Sequence, residues 1–437
     1  MTNSRTFLFM PESAYGPTNN CIGIGSELLR RGHRVVFASE SSWRGKLAPL
    51  GFEEALVDFA PPAEGDQEAG DFWKEYIKAI SPEFRKSTLL QAETVIRPIW
   101  EGAIEGAKYC EPELQKIIAE VNPDVIIEDN VVAFPALVTA GRPFVRIVSC
   151  NPLEIPGSGI APAYSGLGET DVTGWGEYRS EYERTHKDLW EDFNAWVQAQ
   201  GAQPLPYLEF IHSGVHNIYV YPEELDYTAG RPLGADWTRV DSAVRETEAA
   251  ADLPGHFLDG TKPLIYFSLG SLGGADVALM QRTVDILGTA GDYNFIVSKG
   301  PLHEEITLAA NMWGAEFLPQ TRIIPLVDLV ITHGGNNTTT ESLHFGKPMI
   351  LLPLFWDQYD NAQRVHESGY GRRLDTYACT PAELLGAVDE LLRDQDLRSR
   401  CEAAGERIRA ADGLAAAASA LEGVAAVHAQ PQTETAL

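Results

Sequence analysis

Positive charge is scarce in this sequence. Of its 437 residues, 34 are Lys or Arg and 62 are Asp or Glu, so the formal net charge is −28 at pH 7. Nucleic acids and anionic membranes attract a basic protein face, so the composition argues against both as partners. A phosphate ligand stays compatible with it, because backbone N–H groups at a helix end can hold an anion locally.

Cysteines and long apolar runs are also few. The sequence has five scattered cysteines without metal-ligand spacing, which is typical of free thiols in a reducing compartment. No apolar run reaches the length of a membrane span, and the first one, Phe7–Met10, is too short for the core of a signal peptide. We therefore expect a cytoplasmic protein, a monomer or homodimer, with no membrane insertion and no metal site.

The glycine pattern of a dinucleotide-binding loop is missing as well. A nicotinamide oxidoreductase of this class needs Gly-x-Gly-x-x-Gly directly after the first strand. Here PESAYG follows that strand, and GIGSEL, residues 23–28, lacks the third glycine and lies inside a predicted helix. The sequence therefore argues against that enzyme class.

Short apolar segments alternate with helical ones along the chain. Thr6–Met10 and Arg34–Ala38 are predicted strands around a predicted helix, Asn19–Arg31, and the alternation starts again at Pro263. The chain is too long for one core, so we predict an α/β fold of two facing, Rossmann-like, doubly wound domains with a cleft between them. The expected boundaries are an N-terminal domain at 1–230, a linker at 231–258, a C-terminal domain at 259–412, and a terminal helix and tail at 413–437.

One polar turn stands out in the second half. It follows a predicted buried strand, Leu329–Thr332, and leads into a predicted helix, Thr338–Phe345, which Gly346 ends. Met349–Leu352 is the next predicted strand. Ligands of open α/β sheets bind at the carboxyl ends of the strands, where this turn lies.

The residues of the turn suit a phosphate and a ribose. Gly334 and Gly335 allow a sharp bend and a close approach of the ligand, and the helix N-terminus after them favours an anion. His333 adds a donor at the strand tip, and Asn337 and Thr338 add donors at the helix start. Glu341, one turn later, would repel phosphate but suits two vicinal hydroxyls.

The alternative interpretation of Thr338 and Glu341 is a capping box, which needs no ligand. It does not account for His333 or the paired glycines. A second polar pair, Asp357 and Gln358, follows the next strand, and its donors and acceptors suit a sugar ring.

Three segments together carry a resemblance: FLPQ at 317–320, THGGNNTTTES at 332–342 and GKPMILLPLFWDQYDNA at 346–362. This ordered set resembles the donor-binding signature of the UDP-glycosyltransferase family, which has the GT-B fold. SGLGETDVTGWGEYRSEYER, at 165–184, also resembles the macrolide-type glycosyltransferases of antibiotic-producing bacteria. The resemblance implies inverting transfer of a hexose from a nucleotide sugar to a small molecule, with no further cofactor.

The resemblance also implies positions along the donor: Phe317 and Gln320 at the uracil, Glu341 at the ribose, Ser271, His333, Gly335, Asn337 and Thr338 at the diphosphate, and Asp357 and Gln358 at the hexose. Gln358 favours glucose, and Glu341 favours UDP over a deoxyribose nucleotide. The implied co-substrate is UDP-glucose.

The catalytic base of the family is missing. Relatives carry a histidine in a Gly-His-x-x-Pro turn after the first strand, and an aspartate on a later strand end orients it. Alignment without gaps places GPTNN, residues 16–20, over that turn, so Pro17 takes the place of the histidine. The aspartate is present as Asp129, and we expect it to act in catalysis, directly or through water.

Several alternatives stay open for this site. Asp129 could instead cap the following helix, and Glu12 could supply the base. An acceptor amine or acidic phenol would need no base, and a sugar-nucleotide-binding protein without transferase activity would need none either. We expect the acceptor to be a hydrophobic natural product, a polyketide antibiotic of macrolide or ansamycin (rifamycin) type, glycosylated at a hydroxyl. The candidate acceptor-binding residues are Ser13, Tyr15, Trp73 and Phe84.

Overall fold

The structure is a computed structural model that describes residues 4–61, 80–249 and 253–428, without the side chains of Ser271 and Leu272. It contains two parallel sheets. The first has seven strands in the order β3-β2-β1-β4-β5-β6-β7, and the second has six in the order β10-β9-β8-β11-β12-β13. The predicted pair of doubly wound α/β domains is confirmed.

The strands of the first sheet are β1 (Thr6–Pro11), β2 (Arg34–Ser39), β3 (Glu53–Leu56), β4 (Val125–Asp129), β5 (Phe144–Val148), β6 (His216–Val220) and β7 (Trp237–Val240). Those of the second sheet are β8 (Leu264–Ser268), β9 (Asn294–Ser298), β10 (Met312–Ala315), β11 (Leu329–Thr332), β12 (Met349–Leu351) and β13 (Gly371–Arg373). The central strands β4, β8 and β11 are buried along their whole length, as expected where helices cover both faces of a sheet.

The helices of the first half are α1 (Tyr15–Arg30), α2 (Thr88–Gln91), α3 (Arg97–Val121), α4 (Pro135–Thr139) and α5 (Trp175–Ala199), and the π-helical turn Ala92–Ile96 joins α2 to α3. Those of the second half are α6 (Gly270–Gly273), α7 (Val277–Gly288), α8 (Gln320–Ile323), α9 (Asn336–His344), α10 (Gln358–Glu367), α11 (Pro381–Arg393), α12 (Gln395–Ala411) and α13 (Gly413–His428).

Two predicted boundaries need correction. Helix α1 begins at Tyr15, four residues before the predicted start, so Pro17 lies in its first turn, where the ring is tolerated because the N–H has no helical partner. Strand β7 lies inside the stretch 231–258 that we expected to be a linker. It pairs in parallel with β6 and extends the first sheet to Val240.

The C-terminal helix returns to the first half. Glu422 of α13 forms an ion pair with Arg31 at 2.7 Å and a hydrogen bond with His33 Nε2 at 2.9 Å. By length and composition one stretch of the described chain, Gln395–His428, could cross a membrane. It is divided into α12 and α13 at Asp412, whose φ is +47°, and α13 buries Leu421 in the core of the first half.

Candidate functional site

The start of α9 is the centre of the candidate site. Strand β11 ends at Thr332, and the chain bends at Gly334, whose φ is +86°. A Cβ on Gly334 would lie 3.0 Å from the carbonyl oxygen of Gln358, so the position requires glycine for both conformation and space. The helix begins at Asn336, two residues before the predicted start, and its first N–H groups point to the end where an anion is favoured.

His333 packs between two glycines. A Cβ on Gly270 would lie 2.7 Å from Cε1 of the ring, and one on Gly335 would lie 2.5 Å from Nε2. Burial lowers the pKa of His333 to about 4, so the ring is neutral at pH 7. At this position it offers a ligand one neutral N–H and no positive charge. The predicted ligand Ser271 lies beside Gly270 in α6, and its side chain is outside the described atoms.

Two asparagines at the start of α9 join the two halves of the molecule. Asn336 Nδ2 donates to the carbonyl oxygens of Ser149, at 2.8 Å, and Val220, at 2.9 Å. Asn337 Nδ2 donates to the carbonyl oxygen of Gly16 at 2.9 Å. The carboxyl ends of both sheets therefore meet at this helix, and the first turn of α1, which contains Pro17, lies directly against it.

A chain of hydrogen bonds runs from Asn337 to Asp129. Asn20 Nδ2 donates to Asn337 Oδ1 at 2.9 Å and to Ser149 Oγ at 2.8 Å. Ser149 Oγ in turn donates to Asp129 Oδ2 at 2.6 Å. The predicted catalytic carboxylate and a predicted diphosphate ligand are thus two side chains apart, although 208 residues separate them in sequence.

Asp129 ends β4 and is 2% exposed. Burial raises its pKa to about 8, although hydrogen bonds from Ser149 and Cys21 act in the opposite direction. The alternative role as a helix cap is wrong, because the next helix, α4, begins after Phe134 and has no side-chain cap. The carboxylate is therefore available for a task other than capping.

Glu12, the other candidate base, lies beside the end of β4. Its backbone N–H donates to the carbonyl oxygen of Asp129 at 2.7 Å. Burial, with the nearby charge of Glu40, raises the pKa of Glu12 to about 7. Two carboxyl groups of raised pKa therefore lie near each other at the carboxyl ends of β1 and β4.

Glu341 does not form a capping box. The residue before α9 is Gly335, and no side chain caps this helix. The Glu341 carboxylate instead pairs with Arg245 at 2.9 Å and accepts a hydrogen bond from Gln320. Burial raises its pKa, and the charge of Arg245 opposes that effect.

Gln320 and Thr338 complete this cluster. Gln320 Nε2 donates to Thr338 Oγ1 at 3.1 Å. Glu341 was predicted at the ribose and Gln320 at the edge of the uracil. The two side chains contact each other directly. Arg245, which the sequence analysis missed, comes from the stretch that we expected to be linker and is 8% exposed.

Phe317 lies open at the rim of the cleft, with half of its side chain exposed. Its ring centroid is 6.1 Å from that of Tyr15 in the other half, and Tyr15 lies 5.3 Å from Trp43. The aromatic residues predicted for the uracil and for the acceptor thus face each other across the cleft.

Asp357 and Gln358 already have protein partners in this structure. Asp357 Oδ2 accepts hydrogen bonds from the backbone N–H of Asn151 at 2.9 Å and from Asn361 at 3.2 Å. Burial raises the pKa of Asp357 to about 7. Gln358 Oε1 accepts from the backbone N–H of Leu354 at 3.1 Å. The sugar-binding role of Asp357 and Gln358 stays a prediction.

The candidate acceptor residues are not gathered in one place. The carbonyl oxygen of Ser13 accepts a hydrogen bond from Trp43 at 2.9 Å, beside Tyr15. Phe84 is 1% exposed and stacks on Phe355 of the second half at 4.7 Å, so its ring is a packing contact between the halves and not an open wall. Trp73 lies outside the described residues.

Comparison with known proteins finds a family match in the second half of the chain. Residues 259–401 match the family model described as UDP-glucoronosyl and UDP-glucosyl transferase. The oleandomycin glycosyltransferase of Streptomyces antibioticus is 26% identical over 396 residues, which cover 89% of this chain and 83% of that protein. Residues 259–401 of this protein therefore match that family, and the protein is a glycosyltransferase.

Solved structures show the fold of the glycosyltransferase. The crystal structure of the glycotransferase of kitacinnamycin has a TM-score of 0.68 and 20% identity, and covers 97% of this chain and 100% of that chain. A spinosyn rhamnosyltransferase in complex with thymidine diphosphate has a TM-score of 0.61 and 16% identity, and covers 95% and 100%. The glycosyltransferase therefore has the GT-B fold, with its C-terminal helix returning to the first half.

Three residues of the candidate site escaped the sequence analysis. Ser149 follows β5 at the carboxyl edge of the first sheet. Ligands of open α/β sheets bind at this edge, and the same argument that located the polar turn could also have located Ser149. Asn20 lies within GPTNN, the segment aligned with the turn that carries the family's catalytic histidine. It could have been considered as a site residue on that ground. Arg245 has no such signal, because it lies in an irregular segment without periodicity. Among the described residues, no group of three His, Cys, Asp or Glu side chains is arranged to hold a metal ion.

Proposed function

We propose that this glycosyltransferase moves glucose from UDP-glucose to a hydroxyl of a hydrophobic natural product, with inversion at the anomeric carbon. The observation that carries the proposal is the hydrogen-bond chain from Asn337 to Asp129. It connects the helix N-terminus that suits a diphosphate to a buried carboxylate on the opposite side of the cleft. An acceptor between these two groups would have a leaving group on one side and a proton acceptor on the other.

The donor side is supported by the surroundings of α9. Its first N–H groups and the neutral His333 ring would stabilise the negative charge that develops on the departing UDP. Glu341, held by Arg245 and Gln320, still has lone pairs for the two hydroxyls of a ribose. Phe317 is open for stacking on uracil.

The proposed reaction is a single displacement. The acceptor oxygen forms a bond to the anomeric carbon, the bond from that carbon to the UDP oxygen breaks, and the acceptor proton passes to Asp129 directly or through one water. Asp129 accepts the proton only in its ionised form. Its raised pKa makes it a stronger base than an ordinary aspartate and also reduces the ionised fraction at pH 7.

The acceptor class extends the proposal. The oleandomycin glycosyltransferase relative supports an antibiotic as the acceptor, and within that class we propose a polyketide of macrolide or ansamycin type. A thymidine diphosphate sugar is the second candidate donor, because the spinosyn rhamnosyltransferase was solved with thymidine diphosphate. Cytoplasmic location and a monomeric or homodimeric state stay predictions.

The test measures nucleotide release and product mass together. The protein is incubated with UDP-glucose or dTDP-glucose and a panel of hydroxylated and amine-bearing polyketides, and each acceptor is examined for an added hexose. The proposal expects a hexose on oxygen with release of UDP. A hexose found only on nitrogen or on acidic phenols would contradict the proposed role of Asp129 as the base. UDP binding without transfer to any acceptor would contradict transferase activity and indicate a binding protein.

A further inference from the structure

A cavity of about 380 Å³ lies in the first half, between the sheet and α5. Aromatic side chains, among them Trp100, Tyr164, Tyr178 and Phe210, form part of its wall. The charged residues of the wall are Arg146, Glu154, Arg179, Glu183 and Glu209. Trp100 and Phe210 stack at 4.4 Å. The volume is at the lower end of the roughly 300–1,000 Å³ of small-molecule sites, so the cavity suits a compact, flat ring system, which can be one part of a larger polyketide.

The cavity lies beside the candidate donor site. Trp356, the residue before Asp357, packs against Tyr164 at 4.4 Å and against Trp100 at 5.2 Å. The loop that carries the predicted hexose ligand therefore reaches the cavity wall. A molecule in the cavity would lie next to the sugar.

A buried arginine lines this cavity without a bonding partner. Arg146 on β5 is 3% exposed, and its guanidinium has no hydrogen bond or ion pair to any of the described residues. Its cross-strand neighbour is Glu128, whose two carboxylate oxygens are also buried without a partner. Burial raises the pKa of Glu128 well above its usual value, and the charge of Arg146 opposes this effect.

The other acids near Arg146 do not bond to it either. Glu154 accepts a hydrogen bond from Tyr164 at 2.9 Å, and Glu209 lies at the cavity wall. Burial raises the pKa of both carboxyl groups, and the charge of Arg146 opposes this effect in each of them. A buried guanidinium is costly unless an oxygen ligand satisfies it. The hydroxyl of Tyr178, a residue of the same cavity wall, is also buried without a partner.

We propose that this cavity is the acceptor pocket and that it selects a flat aromatic acceptor with an anionic oxygen, a carboxylate or an ionised phenol, which pairs with Arg146. The ring system would stack on Trp100 and Tyr164. This inference rests on the proposed glycosyltransferase reaction and specifies its acceptor by chemical class.

The experiment is calorimetric titration of the full chain with two ligands of the same shape, 2-naphthoate and its neutral amide, 2-naphthamide. We expect the acid to bind about tenfold or more tightly than the amide, since hydrogen bonds to charged groups are the strong ones. 2,4-Dinitro-1-naphthol, ionised at neutral pH, against 1-naphthol tests the phenol in the same way. Equal affinities within both pairs would overturn the proposal.

Two variants assign the preference to one residue. In Arg146→Met the acid and the amide should bind equally. Arg184→Met is the matched control, because Arg184 lies on the exposed face of α5, paired with Glu93 and Glu181, and its loss should leave the preference intact. If Arg146→Met still binds the acid more tightly than the amide, the proposal is contradicted. If this variant does not fold, the comparison of the two ligands on the wild-type protein still tests the proposal.

A third titration separates this inference from the proposed function. Naphthoate should bind equally well with and without saturating UDP, because the cavity and the nucleotide site are different places. Loss of naphthoate binding in the presence of UDP would contradict the placement. If UDP-glucose binds and no hexose is transferred, the proposed reaction fails while the preference for the acid remains measurable.

Discussion

Ser149 donates a 2.6 Å hydrogen bond to the Asp129 carboxylate, and Asn20 donates to the same hydroxyl at 2.8 Å. Asn20 thereby ties the end of β4 to Asn337 at the start of α9. The hydroxyl and the amide fix the position of a carboxylate that has no cationic partner among the described residues. Asp129 is therefore held in place and kept strongly basic at once.

The pH dependence of the reaction should follow the ionisation of the Asp129 carboxyl group. Its pKa is about 8, and the proton acceptor must be ionised, so kcat/KM should rise with pH and level off above about 8. The measurement is the initial rate of UDP release at low acceptor concentration from pH 6 to 9.5. An acceptor with no ionisable group excludes titration of the substrate, and a flat profile would argue against Asp129 as the base.

The same carboxyl should reduce the stability of the protein. Its pKa is higher in the folded than in the unfolded state, so its contribution is neutral below the unfolded value of about 4 and becomes increasingly unfavourable as the pH rises towards 8. Asp129→Asn removes this effect. We expect its Tm to exceed that of the wild type by more at pH 8 than at pH 5, and a constant difference would contradict burial as the cause of the raised pKa.

Glu341→Ala should weaken UDP binding, because the carboxylate is placed by Arg245 and Gln320 at the predicted ribose position. Loss of a charged hydrogen-bond partner predicts a Kd for UDP about tenfold higher or more by calorimetry. The fold should survive, since Glu248 remains as a partner for Arg245. Unchanged affinity for UDP would remove Glu341 from the donor site.

Gly335→Ala should disturb His333 without straining the backbone. The φ of Gly335 is −58°, which any residue adopts, but the new Cβ would lie 2.5 Å from His333 Nε2. We expect the free energy of unfolding to fall by about 1–3 kcal/mol and the affinity for UDP to fall with it. Denaturant unfolding and calorimetry measure the two effects.

Gly386→Ala is the control for that substitution. Gly386 lies inside α11, and a Cβ there would meet nothing within 4 Å. Alanine favours a helix interior over glycine, so this variant should be about 0.5–1 kcal/mol more stable and bind UDP normally. If both variants lost UDP affinity alike, the contact with His333 would not be the reason.

The part of the candidate donor site whose residues are close together in the sequence was predictable. His333, Asn337, Thr338 and Glu341 lie on one strand tip and one helix, so an apolar β-branched run, two glycines and a helix pattern placed them together. The first turn of α1 was harder to predict, because the alignment placed a loop where Pro17 lies in the first turn of a helix.

The residues that connect the two halves could not be predicted. Asn20 and Asn337 meet through the order of the strands and the approach of two domains, which no local pattern encodes. Arg245 lies in an irregular segment and reaches Glu341 only because β7 continues the first sheet. The cavity beside Arg146 depends in the same way on how α5 and the loop before β6 fold over the sheet.

The most direct test of the account compares wild type with Asp129→Asn for hexose transfer from UDP-glucose to a hydroxyl acceptor, with UDP affinity measured in parallel. Asp394→Asn is the control, because Asp394 caps α12 and asparagine caps equally well. The account predicts that Asp129→Asn binds UDP normally and transfers about 10²–10⁴-fold more slowly, while the control matches wild type. Transfer at the wild-type rate by Asp129→Asn would contradict it.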